Sequence, residues 1–317
     1  MRGKTVVLNG AKVNYDGAVD YSVLAPEVTV YDDTPQELIL QRVEGFEVVV
    51  TKELPVPGSV LRQFPASVKL LCEAGTGYNN IDLAAAKEKG ILVCNVPAYS
   101  TQRVAHTAVL LLLCLASGMG TQLRMLERGD RRNFTQHLLA PHTEVNGKTL
   151  GVVGAGHIGA AVAALGRALD MQVLVYTRHP GKDEAGLRYV ALDELLANSD
   201  YVSLHCPLTP ETRHLIGRDN LAKMKPGAFL INTARGALVD EAALVEALQS
   251  GHVAGAGLDV QEEEPPAGDS PLYAMEHVIL TPHMGWKGLE TRRRLVEILR
   301  ADIQGYLEGK PQNVVSG

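Results

Sequence analysis

The sequence predicts an α/β protein built as two doubly wound parallel-sheet domains, with the second inserted into the first. Short Val/Ile/Leu-rich runs alternate with amphipathic segments, the pattern of parallel strands covered by helices on both faces. In mid-chain the glycine-rich stretch Thr149-Leu-Gly-Val-Val-Gly-Ala-Gly-His-Ile-Gly-Ala-Ala161 opens a second array of the same kind. A charged amphipathic helix over 289–307 follows the last strand of that array and would return to cover the first domain. That gives two crossovers, near residues 97–101 and 284–289, and a cleft between the domains.

In the first array, strands are expected at 5–8, 28–31, 47–51, 70–72 and 91–94, and helices at 35–43, 58–64 and 81–89. Pro97 precedes a long helix that begins near Thr101. The polar stretch 127–148 carries no assignment. In the second array, strands are expected at 150–153, 172–176, 201–205, 228–232, 253–258 and 277–280. Helical segments at 192–197, 219–224 and 240–249 separate the later ones. These six strands suffice for a dinucleotide fold.

The chain has 317 residues, enough for two domains with their own cores, and its 46% hydrophobic content excludes a disordered or fibrous protein. A net charge of −6, without any run of Lys or Arg, removes the electrostatic footprint of a nucleic-acid binder. Only four Phe and one Trp are present, too few for base-stacking platforms. Cys72, Cys94, Cys114 and Cys206 sit singly in apolar runs, as buried thiols of a reducing compartment do, and no metal site is expected. The apolar run near the N-terminus is too short for a signal-peptide core, so a cytoplasmic protein is expected. The uncharged stretch 104–123 contains His106, Thr107, Ser117, Gly118, Gly120, Thr121 and Gln122, and it reads as a buried helix rather than a membrane span.

The glycine-rich stretch carries the first chemical signal. Gly154, Gly156 and Gly159 follow a short strand in G-x-G-x-x-G spacing and lead into a helix with apolar Val162, Leu165 and Leu169. The first glycine permits the turn, the second lets backbone approach a pyrophosphate, and the third lets helix and strand pack closely. The helix N-terminus, with His157 and Ile158, offers N–H groups to the phosphates. The strand at 172–176 completes the βαβ unit, which separates this reading from a merely structural glycine turn.

Three later segments place polar residues at the carboxyl ends of expected strands, where open parallel sheets bind ligands. They are Ile231-Asn-Thr-Ala-Arg-Gly-Ala-Leu-Val-Asp240, Gly257-Leu-Asp-Val-Gln-Glu-Glu-Glu-Pro265 and Leu280-Thr-Pro-His-Met-Gly-Trp286. With Gly75-Thr-Gly-Tyr-Asn-Asn-Ile-Asp82, Val96-Pro97, the glycine turn and His205-Cys-Pro-Leu-Thr-Pro210, these segments make the chain resemble the D-isomer-specific 2-hydroxyacid dehydrogenases over essentially its whole length.

The resemblance implies a Rossmann dinucleotide-binding domain, 100–286, inserted into a flavodoxin-like substrate domain, 1–99 and 287–317. By the same resemblance Arg235 is the substrate-binding arginine, Glu264 the paired carboxylate and His283 the acid/base. Hydride addition to a 2-keto acid develops alkoxide charge that imidazole is suited to protonate near neutrality. A nearby carboxylate stabilises the imidazolium and fixes its ring. An arginine holds the substrate carboxylate with parallel charge-assisted hydrogen bonds. The backbone amides of Gly75, Thr76 and Gly77 would bind that carboxylate opposite Arg235. The cofactor-binding set is Gly154, Gly156, His157, Ile158, Gly159, Thr177, Arg178, Cys206, Pro207, Thr212, Thr233, Ala234, Asp259 and Gly285. Each of these has a plainer reading: a structural histidine, a solvated acidic loop at 262–264, an Arg235 ion pair, an Asp259 turn cap.

NAD-preferring folds usually end the second strand of the unit with an acidic residue. Here Val175-Tyr-Thr-Arg-His179 has Thr177 in that place and Arg178 beside it, so NADP(H) is favoured over NAD(H). Two departures from the family pattern, His106 for a frequent glutamate and Gln261 for a frequent aromatic, leave the triad intact. Trp286 and Ala74-Gly-Thr-Gly-Tyr-Asn79 are similar to glycerate dehydrogenase and hydroxypyruvate reductase members, which points to hydroxypyruvate and glyoxylate. The resemblance also implies a homodimer. The alternatives are a corepressor-like nucleotide-sensing protein on the same fold, and a dehydrogenase for another D-2-hydroxy acid. Formate dehydrogenase, which pairs its histidine with glutamine, is disfavoured by Glu264.

Overall fold

The computed structural model describes residues 3–316. They divide into two compact units, one made of the chain up to Ser100 and from Trp286 onward, the other of Thr101–Gly285. The expected domain bounds differ only in assigning Ser100 and Trp286 to the second domain; their residues 1, 2 and 317 lie outside the described residues.

In the first unit, β1 (Thr5–Val7), β2 (Val28–Val30), β3 (Val48–Thr51), β4 (Leu70–Glu73) and β5 (Leu92–Cys94) form a parallel sheet in the order β2-β1-β3-β4-β5, the flavodoxin-like order. Alternation along the strands splits the core in two. Val7, Val48, Val50, Leu70 and Cys72 face one side, where Leu295, Val296, Leu299 and Ile303 of the helix Leu289–Leu307 pack against them. Val6, Val49, Leu71 and Val93 face the other, against Ile39, Phe64, Ala85 and Ala86. Burial on both faces is why these strands are continuous apolar runs.

The second unit holds β6 (Thr149–Val153), β7 (Gln172–Tyr176), β8 (Leu187–Tyr189), β9 (Tyr201–Leu204), β10 (Ala228–Asn232), β11 (Val253–Leu258) and β12 (Val278–Leu280). They are parallel, in the order β12-β11-β10-β9-β6-β7-β8, with the crossover between β6 and β9. This is the Rossmann order extended by one strand. The strand not expected from sequence is β8, a three-residue edge strand whose half-exposed Leu-Arg-Tyr gives no apolar run. One face of the sheet packs on helices Leu192–Asn198 and Glu241–Gln249, the other on Thr101–Ala116 and His157–Ala168. Asp240, expected inside its helix, is instead the N-cap, accepting the Ala243 N–H.

The stretch expected as one buried helix over 104–123 is two. Gly118 takes φ +55, and Thr101–Ala116 gives way to Met119–Glu127 at a 66° bend. Among the described residues no single helix is long and apolar enough to cross a membrane. Only the first helix is well buried, through Val104, Ala105, Ala108, Leu111, Leu112 and Leu115. In the unassigned stretch 127–148 there is one short helix, Arg132–Thr135. Of the four free cysteines, Cys72 and Cys94 are buried as expected, whereas Cys114 and Cys206 are half-buried.

Candidate active site

The glycine turn has the shape its spacing implies. Gly154 takes φ +104, and a Cβ on it would stand 2.6 Å from the Cys206 nitrogen, so only glycine fits where β6 passes β9. A Cβ on Gly159 would fall 1.9 Å from the Gly154 carbonyl oxygen, which is why helix and turn pack closely. Gly156 faces open space and is the N-cap of His157–Ala168, with no side chain capping the helix. The first-turn N–H groups are therefore open to an anion.

The polar ends of β9 and β10 fit the same kind of ligand. Thr233, 7% exposed, has a buried hydroxyl without a hydrogen-bond partner, and His205 has a buried Nδ1 in the same condition while its Nε2 meets Ser203 Oγ at 2.8 Å. Burial drives the His205 pKa down to about 3, so its ring is neutral. Burial also pushes the Cys206 thiol up to about 11. Orphaned polar atoms beside an uncapped helix and a side-chain-free turn suit a bound dinucleotide. Thr212 is engaged locally, donating to the Pro207 carbonyl and accepting the Thr209 N–H, each at 2.7 Å, and Ala234 N–H donates to Asn232 Oδ1. Thr177 and Arg178 follow β7, half-buried and exposed respectively. The sequence around them offers no carboxylate, but the fold brings Glu211 within electrostatic reach of Arg178.

Of the expected triad, His283 and Glu264 meet directly. His283 Nδ1 lies 2.8 Å from Glu264 Oε2, and Glu264 Oε1 accepts the Gln261 N–H at 3.2 Å. Both are partly open, with side chains 22% and 36% exposed. His283 holds a left-handed φ of +49, uncommon for a side chain with a Cβ, and its N–H is shared between the Asp259 and Thr281 carbonyls. Asp259, expected as a cofactor contact, is 1% exposed and clamps this loop: its carboxylate accepts from Thr281 Oγ1, Met284 N–H and Gly285 N–H. The turn-cap role weighed for Asp259 is therefore present. With Nδ1 committed to Glu264, Nε2 is the ring nitrogen left open.

Arg235 follows β10 in extended conformation. Asn232 Nδ2 holds its carbonyl at 2.8 Å, and a Cβ on Gly236 would fall 1.8 Å from the Gln261 oxygen, so the arginine loop packs on the loop that carries Glu264. Its Nη1 donates to the Ala234 carbonyl, and among the described residues its guanidinium forms no ion pair. The ion-pair alternative is thereby removed. The acidic loop is not simply solvated either, since Glu262 pairs with Arg213 at 2.8 Å and His214 at 2.7 Å.

In the first unit, the Gly75–Gly77 loop leaves the carboxyl end of β4. The Gly75 carbonyl accepts the Val96 N–H, Asn95 Nδ2 donates to the Thr76 carbonyl, and the Thr76 hydroxyl donates to the Val96 carbonyl. The carbonyls are pinned, while among the described residues the N–H groups of Gly75, Thr76 and Gly77 have no acceptor. Free backbone donors held in one loop suit an anion.

Sequence reasoning missed Asn9, Lys52 and Glu73, which lie at the ends of β1, β3 and β4 and form a buried polar cluster around this loop. Their signal was available: each is a polar residue at the carboxyl end of an expected strand.

Comparison with known proteins places the chain in a family. Residues 109–285 match the family description "D-isomer specific 2-hydroxyacid dehydrogenase, NAD binding domain". A hydroxypyruvate reductase of Blautia hydrogenotrophica is 39% identical over 99% of each chain. A glycerate dehydrogenase of Methylorubrum extorquens is 38% identical over 89% of each. The crystal structure of a D-lactate dehydrogenase from Aquifex aeolicus, complexed with NAD and lactic acid, superposes with TM-score 0.84 at 31% identity, covering 99% of each chain. These relatives do not favour the reading as a corepressor-like binding protein. The chain belongs to the D-isomer specific 2-hydroxyacid dehydrogenase family and is an oxidoreductase that uses a nicotinamide dinucleotide.

Proposed function

We propose that the enzyme reduces small polar 2-keto acids, hydroxypyruvate and glyoxylate foremost, to D-2-hydroxy acids, with NADPH the favoured donor and NADH the second. The observation that carries this reading is the Glu264–His283 pair at 2.8 Å, with the Glu264 loop packed against that of Arg235. The names of the relatives, hydroxypyruvate reductase and glycerate dehydrogenase, support the substrate class.

A nicotinamide dinucleotide held at the Gly154–Gly159 turn would supply hydride for the keto carbon. His283 delivers a proton from Nε2 to the carbonyl oxygen, and Glu264 holds Nδ1 so that the ring keeps its direction. Arg235, lacking an internal ion partner, takes the substrate carboxylate and polarises the adjacent carbonyl. The free amides of Gly75, Thr76 and Gly77 in the first unit are donors suited to a substrate carboxylate. Gly154, Gly156, His157, Ile158 and Gly159 hold the pyrophosphate. Cys206, Pro207, Thr212, Thr233, Ala234 and Gly285 line the cofactor, and Asp259 acts by shaping the Gly285 turn. Arg178, exposed beside Thr177, pairs with a 2′-phosphate, a preference that Glu211 tempers.

The reading carries with it a homodimer. Leu110, Leu113, Met119, Leu123, Leu126, Phe134, Leu138 and Leu139 are all exposed on one stretch of the second unit, an apolar surface suited to a second copy. Light scattering tests it: a dimer that Leu123→Asp splits supports the assignment, and a monomeric wild type contradicts it. A cytoplasmic setting, where reduced cofactors are available, goes with the activity.

A panel of 2-keto acids assayed with NADPH and NADH by loss of cofactor absorbance tests the whole reading. Hydroxypyruvate or glyoxylate should give the highest kcat/KM, with NADPH ahead. No turnover of any 2-keto acid would reject the reaction, and a clear NADH preference would reject the cofactor assignment.

A further inference from the structure

The first unit contains a buried ammonium that the proposed chemistry does not use. Lys52 follows β3 and is 4% exposed. Its backbone is held on both sides by one side chain: Asn9 Oδ1 accepts the Lys52 N–H at 2.9 Å and Asn9 Nδ2 donates to the Lys52 carbonyl at 2.6 Å. Its Nζ pairs with Glu53 and lies 4.2 Å from the centre of the Trp286 ring. A Cβ on Gly75 would stand 3.2 Å from that Nζ, so the ammonium lies directly against the loop whose amides are unpaired.

Three features indicate that this charge serves a ligand rather than the fold alone. Lys52 sits at the crossover between β1 and β3, the position at which a parallel sheet of this order opens to small molecules. A lysine that only neutralised its neighbours would be an expensive way to stabilise a core, since apolar residues of similar volume commonly do as well. Beside it, the indole Nε1 of Trp286, a residue 5% exposed, is a buried donor without an acceptor. A ligand oxygen placed there would meet donors that the protein leaves unsatisfied.

We propose that Lys52 is a substrate-positioning residue, its ammonium fixed against Gly75 so that the Gly75–Gly77 loop presents a positive field as well as free N–H groups to a ligand carboxylate. This rests on the assignment of that loop to the substrate carboxylate. Glu53 and Glu73 set the strength of the field. Glu73 accepts from Thr51 Oγ1, Asn80 Nδ2 and the Glu53 N–H, and burial pushes its carboxyl up toward the neutral form. Burial works against the charge on Lys52, but Tyr99, Glu53 and Glu73 around it outweigh burial and keep it protonated.

The test is calorimetric titration of oxalate, a two-carbon dicarboxylate, into the cofactor-saturated protein, alongside the dissociation constant for NADPH. Lys52→Met is expected to weaken oxalate by about tenfold or more, the loss of one charge-assisted contact, with NADPH affinity unchanged. Glu73→Gln added to Lys52→Met separates a role on the ligand from a merely structural one. If Lys52 acts on the ligand, the double variant stays as weak as Lys52→Met; restoration of wild-type affinity would mean that Lys52 only neutralised Glu73 and would overturn the proposal. So would a Lys52→Met affinity within about threefold of wild type, or a wild type that binds no oxalate. Glu53→Gln, which relieves Lys52 of its ion partner, is a second handle should Lys52→Met not fold; tighter oxalate supports the proposal and weaker oxalate contradicts it. Lys52-dependent oxalate binding without keto-acid turnover would defeat the proposed reaction and leave this inference standing; turnover with Lys52-independent binding would do the reverse.

Discussion

At the crossover of the seven-stranded sheet, β6 and β9 run side by side, and between their carboxyl ends stands Gly154, with φ +104 and no room for a side chain beside Cys206. At the crossover of the five-stranded sheet, β1 and β3 do the same, and there Asn9 bridges the gap with two hydrogen bonds to the Lys52 backbone. One crossover is cleared of side chains and the other is stapled by one. Clearing it lets backbone approach a large, extended ligand such as a pyrophosphate. Stapling it fixes one ammonium and one loop, as suits a small anion that needs placed charge more than volume. Identical sheet logic thus ends in two different ways, and the difference lies in one position past the first crossover strand: Gly154 directly after β6, Asn9 two residues after β1.

The contrast can be broken at several points. The largest effect belongs to Arg235→Ala, which removes a guanidinium that has no ion pair among the described residues. It should cost about 2 to 5 kcal/mol in transition-state binding, read as kcat/KM, with NADPH affinity nearly unchanged; near-normal turnover would reject the role of Arg235. Gly154→Ala attacks the cleared crossover. It forces a Cβ against the Cys206 backbone at a positive φ, so a loss of stability of about 2 to 4 kcal/mol and weaker NADPH binding are expected by thermal unfolding and fluorescence titration.

Asn9→Ala attacks the stapled crossover. It leaves the buried Lys52 N–H and carbonyl without partners and should lower unfolding free energy by about 2 kcal/mol in urea, without touching NADPH affinity. Equal damage to cofactor binding from Gly154→Ala and Asn9→Ala would erase the distinction between the two crossovers.

The smallest effect is a pH dependence confined to the first unit. Asp302, 1% exposed, has one oxygen bonded to Asn313 and the other without a partner, and burial raises its pKa to about 6. A carboxyl raised in the fold favours folding while protonated. Its destabilising charge appears as pH climbs from the unfolded value near 4 through about 6. Asp302→Asn is therefore expected to stabilise the protein by about 1 to 2 kcal/mol at pH 8 and by little at pH 4. A gain independent of pH would show that desolvation of Asp302 is not its cause.

Much of this was legible in the chain, for identifiable reasons. β7, β10 and β11 lie where apolar runs and flanking turn residues put them, because doubly buried strands are written as largely apolar stretches. The Glu264–His283 pairing was legible only through resemblance, since 18 intervening residues, 265–282, separate the two in sequence while a clamp on Asp259 brings them to 2.8 Å. β8 was hidden because three half-exposed edge residues carry no pattern. The bend at Gly118 was hidden because an uncharged run reads as one helix until a left-handed residue breaks it. Glu211 beside Arg178 and Asn9 beside Lys52 are products of strand order, which local sequence does not encode.

The central claim is that His283, held by Glu264, supplies the proton for keto-acid reduction. Measuring kcat for hydroxypyruvate or glyoxylate in His283→Gln at saturating NADPH, with NADPH affinity in parallel, tests it most directly. A fall in kcat of about 10²- to 10⁴-fold with cofactor affinity retained is the predicted result; turnover within about tenfold of wild type, well short of what loss of a general acid entails, would contradict it.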